Sequence, residues 1–292
     1  MSVQFEPIND VLGARVVDFD MSAPLDEDAF LKIRRALAEH TLLLFRDQGH
    51  IAPADQIAFS RRFGPLEEHV LTQFLFPGHP EIFVVSNIVE NGRHIGAYGG
   101  AQDFHSDLAY MQEPSLGSVF RCLECPDEGG ETAFANMYAA YDALPDAMRH
   151  RVDKLNAVYD YVWSYERRLA PLRGPLSPEQ KAKTPVVVHP LVRTHPETGR
   201  NGLFLSFNFI RRFEGMSEDE SQKLVHELVE FATQSRFSYT HKWRPGDIVM
   251  WDNRNSMHKA CPFDSKGTRR LMHRTTIRGD APFRGNRSKA AA

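Results

Sequence analysis

Gly246-Asp247-Ile248-Val249-Met250-Trp251-Asp252-Asn253-Arg254-Asn255-Ser256-Met257-His258 places four apolar residues in succession, then a polar turn, then a histidine. The apolar run predicts a strand, and the polar turn delivers His258 onto the next one. Arg269-Arg270 follows, and Leu271–Ile277, which carries Arg274, predicts a further strand. Upstream, Pro185–Val188, Leu203–Leu205 and Phe237–Tyr239 have the same short apolar character, with one helical pattern between them at Ser217–Ser235. Many short strands with turn signals and few helices predict a mainly β protein with flanking helices, of jelly-roll type.

The N-terminal half fits this scheme. Phe30, Ile33 and Leu37 recur at helical spacing within Asp26–His40, and Thr41–Arg46 predicts a core strand. A second helix is expected over Ala54–Phe63, ended by Gly64-Pro65, and strands over Ile82–Ser86, Ser118–Cys122 and Thr132–Phe134. Met137–Leu155 predicts a helix despite Pro145. Two stretches, near 66–104 and 163–184, are rich in Gly, Pro or polar residues and are expected to be mobile insertions beside a cleft. One domain over 1–283 is expected, with 284–292 a fraying tail.

At 292 residues, 42% hydrophobic and 25% charged, the chain is expected to fold as a globular protein. A net charge of -3 with dispersed Lys and Arg argues against nucleic acid as a partner. No apolar run has the length to cross a bilayer, so no membrane partner is expected. With no N-terminal signal pattern and three cysteines, a cytoplasmic location is expected. Cys122-Leu123-Glu124-Cys125 lacks a second pair to complete a zinc site. His79, His189 and His195 each precede a proline and are expected in surface turns with no role.

His105-Ser106-Asp107 carries the chemical signal. On a strand, residues two apart face the same way, so an imidazole and a carboxylate at this spacing can reach one metal ion. With 13 histidines in the chain, chance supplies on the order of one such pair. The weight comes from His258 far downstream: two His and one carboxylate on one face of a metal leave three adjacent positions open, as in non-haem iron(II) oxygenases.

Together with Arg62-Phe63-Gly64-Pro65, Gly129-Gly130-Glu131-Thr132, Trp251-Asp252-Asn253-Arg254 and Arg269-Arg270 through His273-Arg274, this pattern resembles the taurine dioxygenase and 2,4-dichlorophenoxyacetate dioxygenase family. Thr132 lies 27 positions after His105, Arg270 lies 12 after His258 and Arg274 four after that, as in the family. The resemblance implies a double-stranded β-helix that uses Fe(II), 2-oxoglutarate and O2, with His105, Asp107 and His258 as catalytic metal ligands. Arg270 and Thr132 would hold the distal carboxylate of 2-oxoglutarate, and Trp251 would wall its pocket. Arg274 would meet an anionic group on the substrate, beside His69, Phe104 and Phe209, within an aromatic set that also includes Phe74, Phe76, Tyr98 and Phe207. The expected reaction is hydroxylation of a small organic acid, a carboxylate or sulfonate with an apolar or aromatic part, releasing succinate and CO2. Asp107 fills the position that halogenating relatives leave open to chloride, which disfavours halogenation. Desaturation or cleavage of an amino-acid-derived acid is the alternative within the class, and a metal-dependent hydrolase the alternative outside it. The resemblance also implies a homodimer or homotetramer.

Overall fold

The computed structural model describes residues 3–99 and 101–285. Leu42–Phe45 and Ile248–Asp252 lie side by side, antiparallel, at the centre of a nine-stranded mixed sheet. Ser115–Glu124 pairs with the other edge of Ile248–Asp252, and Leu271–Arg278 follows it, then His79–Ser86. A smaller antiparallel sheet is built from Ser238–His241, Thr132–Asn136 and Ser256–Ala260.

Both faces of the large sheet are covered, which explains the unbroken apolar runs. Leu43, Phe45, Ile248 and Met250 point to one side, where they meet Phe30, Ile33 and Leu37 of the helix Glu27–His40. That helix starts where the sequence predicts: the Asp26 carboxylate accepts from the Ala29 N–H at 2.8 Å. Leu42, Leu44, Val249 and Trp251 point to the other side and share a core with Phe134 of the small sheet. The two sheets therefore face one another, and their shared core fixes the register of the strands that bear the site.

A third core gathers Tyr141, Tyr159, Phe204, Phe213, Leu224 and Leu228 beneath the long helix Glu218–Ala232. One expected helix is revised here. Met137–Leu155 is two helices, Met137–Asp142 and Asp146–Val152, because Pro145 cannot donate within a continuous helix. The 163–184 stretch lies in three short helices, Tyr161–Arg168, Ala170–Arg173 and Pro178–Ala182, and their connections. Ser177 caps the last of these by accepting from Gln180 N–H. Within 66–104, a two-residue turn joins Val89–Glu90 to Arg93–His94 as a hairpin.

His189 and His195 are buried, not in surface turns. A ring nitrogen of His189 meets the Met111 carbonyl at 2.9 Å, and His195 Nε2 lies 3.0 Å from the Asp252 carboxylate. A proline after each blocks a helix but says nothing about burial. Of the predicted tail, Arg284 and Gly285 are tied to the Leu155 carbonyl and the Thr194 hydroxyl. Residues from 286 onward lie outside the described residues.

Candidate active site

His105 does not lie on a long strand. It forms a single antiparallel bridge to His258, with N–H to O distances of 3.0 and 2.8 Å in the two directions. The chain then turns at Asp107, and Leu108 takes the left-handed region at φ 53°. His105 and Asp107 therefore come together through a turn and not through the alternation of a strand. The turn is held from below: Asn253 Oδ1 accepts from Asp107 N–H at 3.2 Å, and the Asn253 carbonyl accepts from the Ser106 hydroxyl at 2.9 Å. Asn253 also accepts from Trp251 Nε1 and donates to Ser115 Oγ, both at 3.0 Å.

One ligand-capable atom each from His105, Asp107 and His258 lies within 4.8 Å of the other two, and all three residues are buried. His105 Nδ1 faces the Asp103 carbonyl at 2.8 Å, an arrangement that places the proton there and leaves Nε2 with a free lone pair. His258 is held by ring packing, with Trp251 at 4.6 Å between centroids. Burial is the main cause that lowers both imidazole pKa values, with that of His258 at about 3, so both rings are neutral near pH 7. Burial alone pushes Asp107 up. The Arg274 guanidinium, with help from the His258 and His105 rings and the Ser118 hydroxyl, outweighs it and holds the carboxyl well below the usual range. Each imidazole Nε2 stands 3.8 Å from an Asp107 oxygen, too far for a hydrogen bond. Two neutral imidazoles and a carboxylate thus converge lone pairs on one point, a donor set that fits a divalent cation of the iron type.

A cavity of about 260 Å³ opens from His105 and Asp107 and is also lined by Arg270 and Arg274. Arg270 is buried, and burial lowers its pKa. Its Nε donates to the Gly130 carbonyl at 3.2 Å, and among the described residues no carboxylate pairs with it. Gly130 holds φ +71°, which glycine tolerates and which turns that carbonyl to Arg270. Thr132 is buried outside the cavity wall, and its oxygen accepts from Trp243 Nε1 at 3.0 Å. Arg274 Nη1 donates to Asp107 Oδ1 at 2.8 Å, and Ser118 donates to Asp107 Oδ2 at 2.9 Å.

His69 and Phe209 line the cavity as expected. His69 stacks on Phe83 at 4.1 Å, and its pKa falls to about 3 through burial and then the Arg274 charge. Two assignments need correction. Trp251 does not wall the cavity; it backs His258 from the core. Phe104 also stays out of the cavity: it packs into the third core, with the Lys259 ammonium 4.9 Å from its ring centroid. Of the wider aromatic set only Tyr98 joins Phe209 on the wall, while Phe74, Phe76 and Phe207 do not. The sequence reasoning missed Tyr110, Tyr161, Tyr165, Arg168 and Arg173, all of which line it. The 161, 165 and 168 spacing on one helical face was the available signal.

A two-His, one-carboxylate centre opening onto a cavity with a carboxylate-free arginine defines a class, the mononuclear metal oxygenases that also take an anionic co-substrate. The sequence pattern described as taurine catabolism dioxygenase TauD, TfdA family matches residues 4–276. The chain belongs to that family, and it is accordingly an oxidoreductase whose reagents are Fe(II), 2-oxoglutarate and O2.

The (S)-phenoxypropionate/alpha-ketoglutarate-dioxygenase of Sphingobium herbicidovorans is 35% identical, over 96% of this chain and 97% of that one. Pentalenolactone F synthase of Streptomyces avermitilis is 33% identical, over 92% of each. The crystal structure of AAD-2 in complex with Mn(II) and N-oxalylglycine superposes with a TM-score of 0.81 at 30% identity, covering 97% of this chain and 99% of that one. Among the described residues, no helix is long and apolar enough to cross a membrane.

Proposed function

We propose that this enzyme hydroxylates a small organic acid with an apolar or aromatic part, on a double-stranded β-helix core, releasing succinate and CO2. His105, Asp107 and His258 are the metal ligands in this reading. The observation that carries it is one cavity lined by His105, Asp107 and Arg270, with His258 beside the first two and Arg270 a buried cation that no carboxylate pairs among the described residues. A dicarboxylate that chelates the metal at one end places its other carboxylate where a planar, bidentate donor is needed. Thr132 stands behind the wall, two residues along from the Gly130 whose carbonyl meets Arg270; its oxygen accepts from Trp243, which leaves its own O–H free to donate towards that end.

When bound, iron supplies the redox chemistry that couples oxidative decarboxylation of 2-oxoglutarate to attack on a substrate C–H bond. The chain does the rest. Arg274 and Ser118 fix the Asp107 carboxylate in its ionised state and orientation, and the Asp103 carbonyl fixes the His105 tautomer. Tyr110, Tyr161 and Phe209 form an aromatic wall that displaces water from the substrate side, with Tyr110 4.3 Å from Tyr161 and 4.8 Å from Phe209 between ring centroids. A hydrolase reading leaves the uncompensated Arg270 without a purpose.

A desaturating or cleaving reaction on an amino-acid-derived acid is the second reading, because the same three metal ligands and cavity would serve it. Mass spectrometry of products from a panel of aryloxyalkanoates, alkylsulfonates and amino-acid-derived acids decides between them. Products that together equal the substrate plus one oxygen, either in one molecule or in the two fragments left when a hydroxylated carbon expels its aryloxy or sulfonate group, support hydroxylation; a product lighter by two hydrogens overturns it. The proposal includes a homodimer or homotetramer, which sedimentation of the purified protein tests.

A further inference from the structure

Asn208 lines the cavity beside Phe209 and is only 3% exposed. Its side chain makes no hydrogen bond among the described residues, and Oδ1 is sealed from solvent without a partner. Asn253 and Asn255, the other buried asparagines among the described residues, both use their amides: Asn253 donates to Ser115 Oγ at 3.0 Å and Asn255 to the Ala38 carbonyl at 3.4 Å. An amide withdrawn from water without a partner destabilises the fold, so its presence at this position needs a reason. The backbone supplies none. Asparagine is favoured where φ is positive or where its side chain closes a turn on its own main chain, and Asn208 shows neither the left-handed conformation nor such a bond. The main chain on both sides is pinned by other residues: Phe207 N–H donates to the Phe104 carbonyl at 3.1 Å, and the Phe209 carbonyl accepts from Asp160 N–H at 2.9 Å. The amide is held at the wall and left unspent.

We infer that Asn208 is a specificity-determining residue, whose amide receives an uncharged hydrogen-bonding group, a hydroxyl or a carboxamide, on the apolar part of the primary substrate. This rests on the functional reading above and deepens it, because it requires a neutral polar group in addition to the acid. The chemistry of the amide selects that group. A carboxylate, sulfonate, ether or ketone only accepts and would leave the amide oxygen unpaired, whereas a hydroxyl or carboxamide both donates and accepts. No protein bond fixes which end of the amide faces the cavity, and half a turn about its terminal torsion presents either. Next to the rings of Tyr161 and Phe209 on the same wall, a neutral group also avoids the larger cost of desolvating a charge.

The test uses iron-loaded full-length protein with 2-oxoglutarate and O2, and offers each aryloxyalkanoate, alkylsulfonate and amino-acid-derived acid in three forms, with a hydroxyl, a carboxamide or a methyl group on its apolar part. A hydroxyl or carboxamide form should exceed its methyl counterpart in kcat/KM for substrate-stimulated succinate release by about tenfold or more. Asn208→Leu, close in volume, should reverse that order. Because the variant also removes an unpaired buried amide, it should raise the unfolding midpoint of the metal-free, ligand-free protein by about 2 °C or more. A midpoint that is unchanged or lowered, or a variant that does not fold, shows the amide already satisfied within the protein and overturns the inference. So does a series in which the methyl form is always best, or one that Asn208→Leu lowers equally in all three forms. Succinate formation without primary substrate reports on the functional reading separately. Its presence alongside an indifferent Asn208 sinks this inference alone, whereas a complete absence of succinate under all conditions sinks both.

Discussion

His105 and His258 exchange both backbone hydrogen bonds although 153 positions separate them in the chain. That single bridge sets the two imidazoles 4.4 Å apart between ring centroids. The metal site is therefore a product of long-range strand pairing, and each residue that stabilises the pairing or the Asp107 turn acts on the metal indirectly.

Arg274 is the most direct case. It holds Asp107 ionised against the cost of burial, so Arg274→Met should weaken Mn(II) binding by about tenfold to a hundredfold. The loss should deepen as pH falls, because a proton then competes for the carboxylate at a higher pH than before. Manganese titration followed by electron paramagnetic resonance checks both statements. Unchanged affinity at every pH would mean that Arg274 has no part in ordering the ligand.

Arg270 and Thr132 should separate by size of effect. Arg270→Gln removes a buried charged partner and should raise the KM for 2-oxoglutarate by about a hundredfold. Thr132→Val removes one neutral donor and should raise it roughly three- to tenfold. Steady-state kinetics with 2-oxoglutarate varied resolve the two. Equal effects would contradict the division of roles.

Beneath the Trp251–Arg254 turn, Asp252 is fully buried between Arg254 at 2.6 Å and His195 at 3.0 Å. Asp252→Ala leaves buried Arg254 with Glu197, at 2.8 Å, as its remaining carboxylate partner and leaves His195 without one, and should cost about 2–3 kcal/mol of stability. Urea unfolding measures it, and a loss below about 1 kcal/mol would show that the network is replaceable.

His189 and His273 give a pH signature away from the metal. Burial lowers both from 6.5 to about 4. In the unfolded chain they take up protons first, so stability falls as pH drops from about 6.5 towards 4 and levels off with respect to these two groups below that. The slope should approach roughly 1.4 kcal/mol per pH unit for each histidine within that window. Denaturation midpoints of the metal-free protein between pH 7 and pH 4 test it; a flat profile would contradict the burial of these rings.

The sequence made the chemistry more legible than its surroundings. His105, Asp107, His258 and Arg270 announce themselves because metal and anion binding restrict residue type and spacing; the structure groups the first three within 4.8 Å and sets His105, Asp107 and Arg270 on one cavity. The strand runs at Leu42–Phe45 and Ile248–Trp251 were equally plain, since burial on both faces leaves no polar alternation to confuse. Trp251 and Phe104 were misplaced for a shared reason: an aromatic residue near a site has the same composition whether it faces the cavity or the core behind it. Asn253 carries no legible role in its motif, because its hydrogen bonds to Ser106, Asp107 and Ser115 exist only in three dimensions. Arg173 was hidden in a polar stretch whose short helices carry too few turns for periodicity to stand out.

Succinate release by iron-loaded protein supplied with 2-oxoglutarate, O2 and an aryloxyalkanoate, compared with His105→Ala, tests the central claim most directly. Acid-stimulated succinate from the unaltered protein, lost in the variant, is the predicted result. Succinate no higher than in the variant, with iron demonstrably bound, would contradict it.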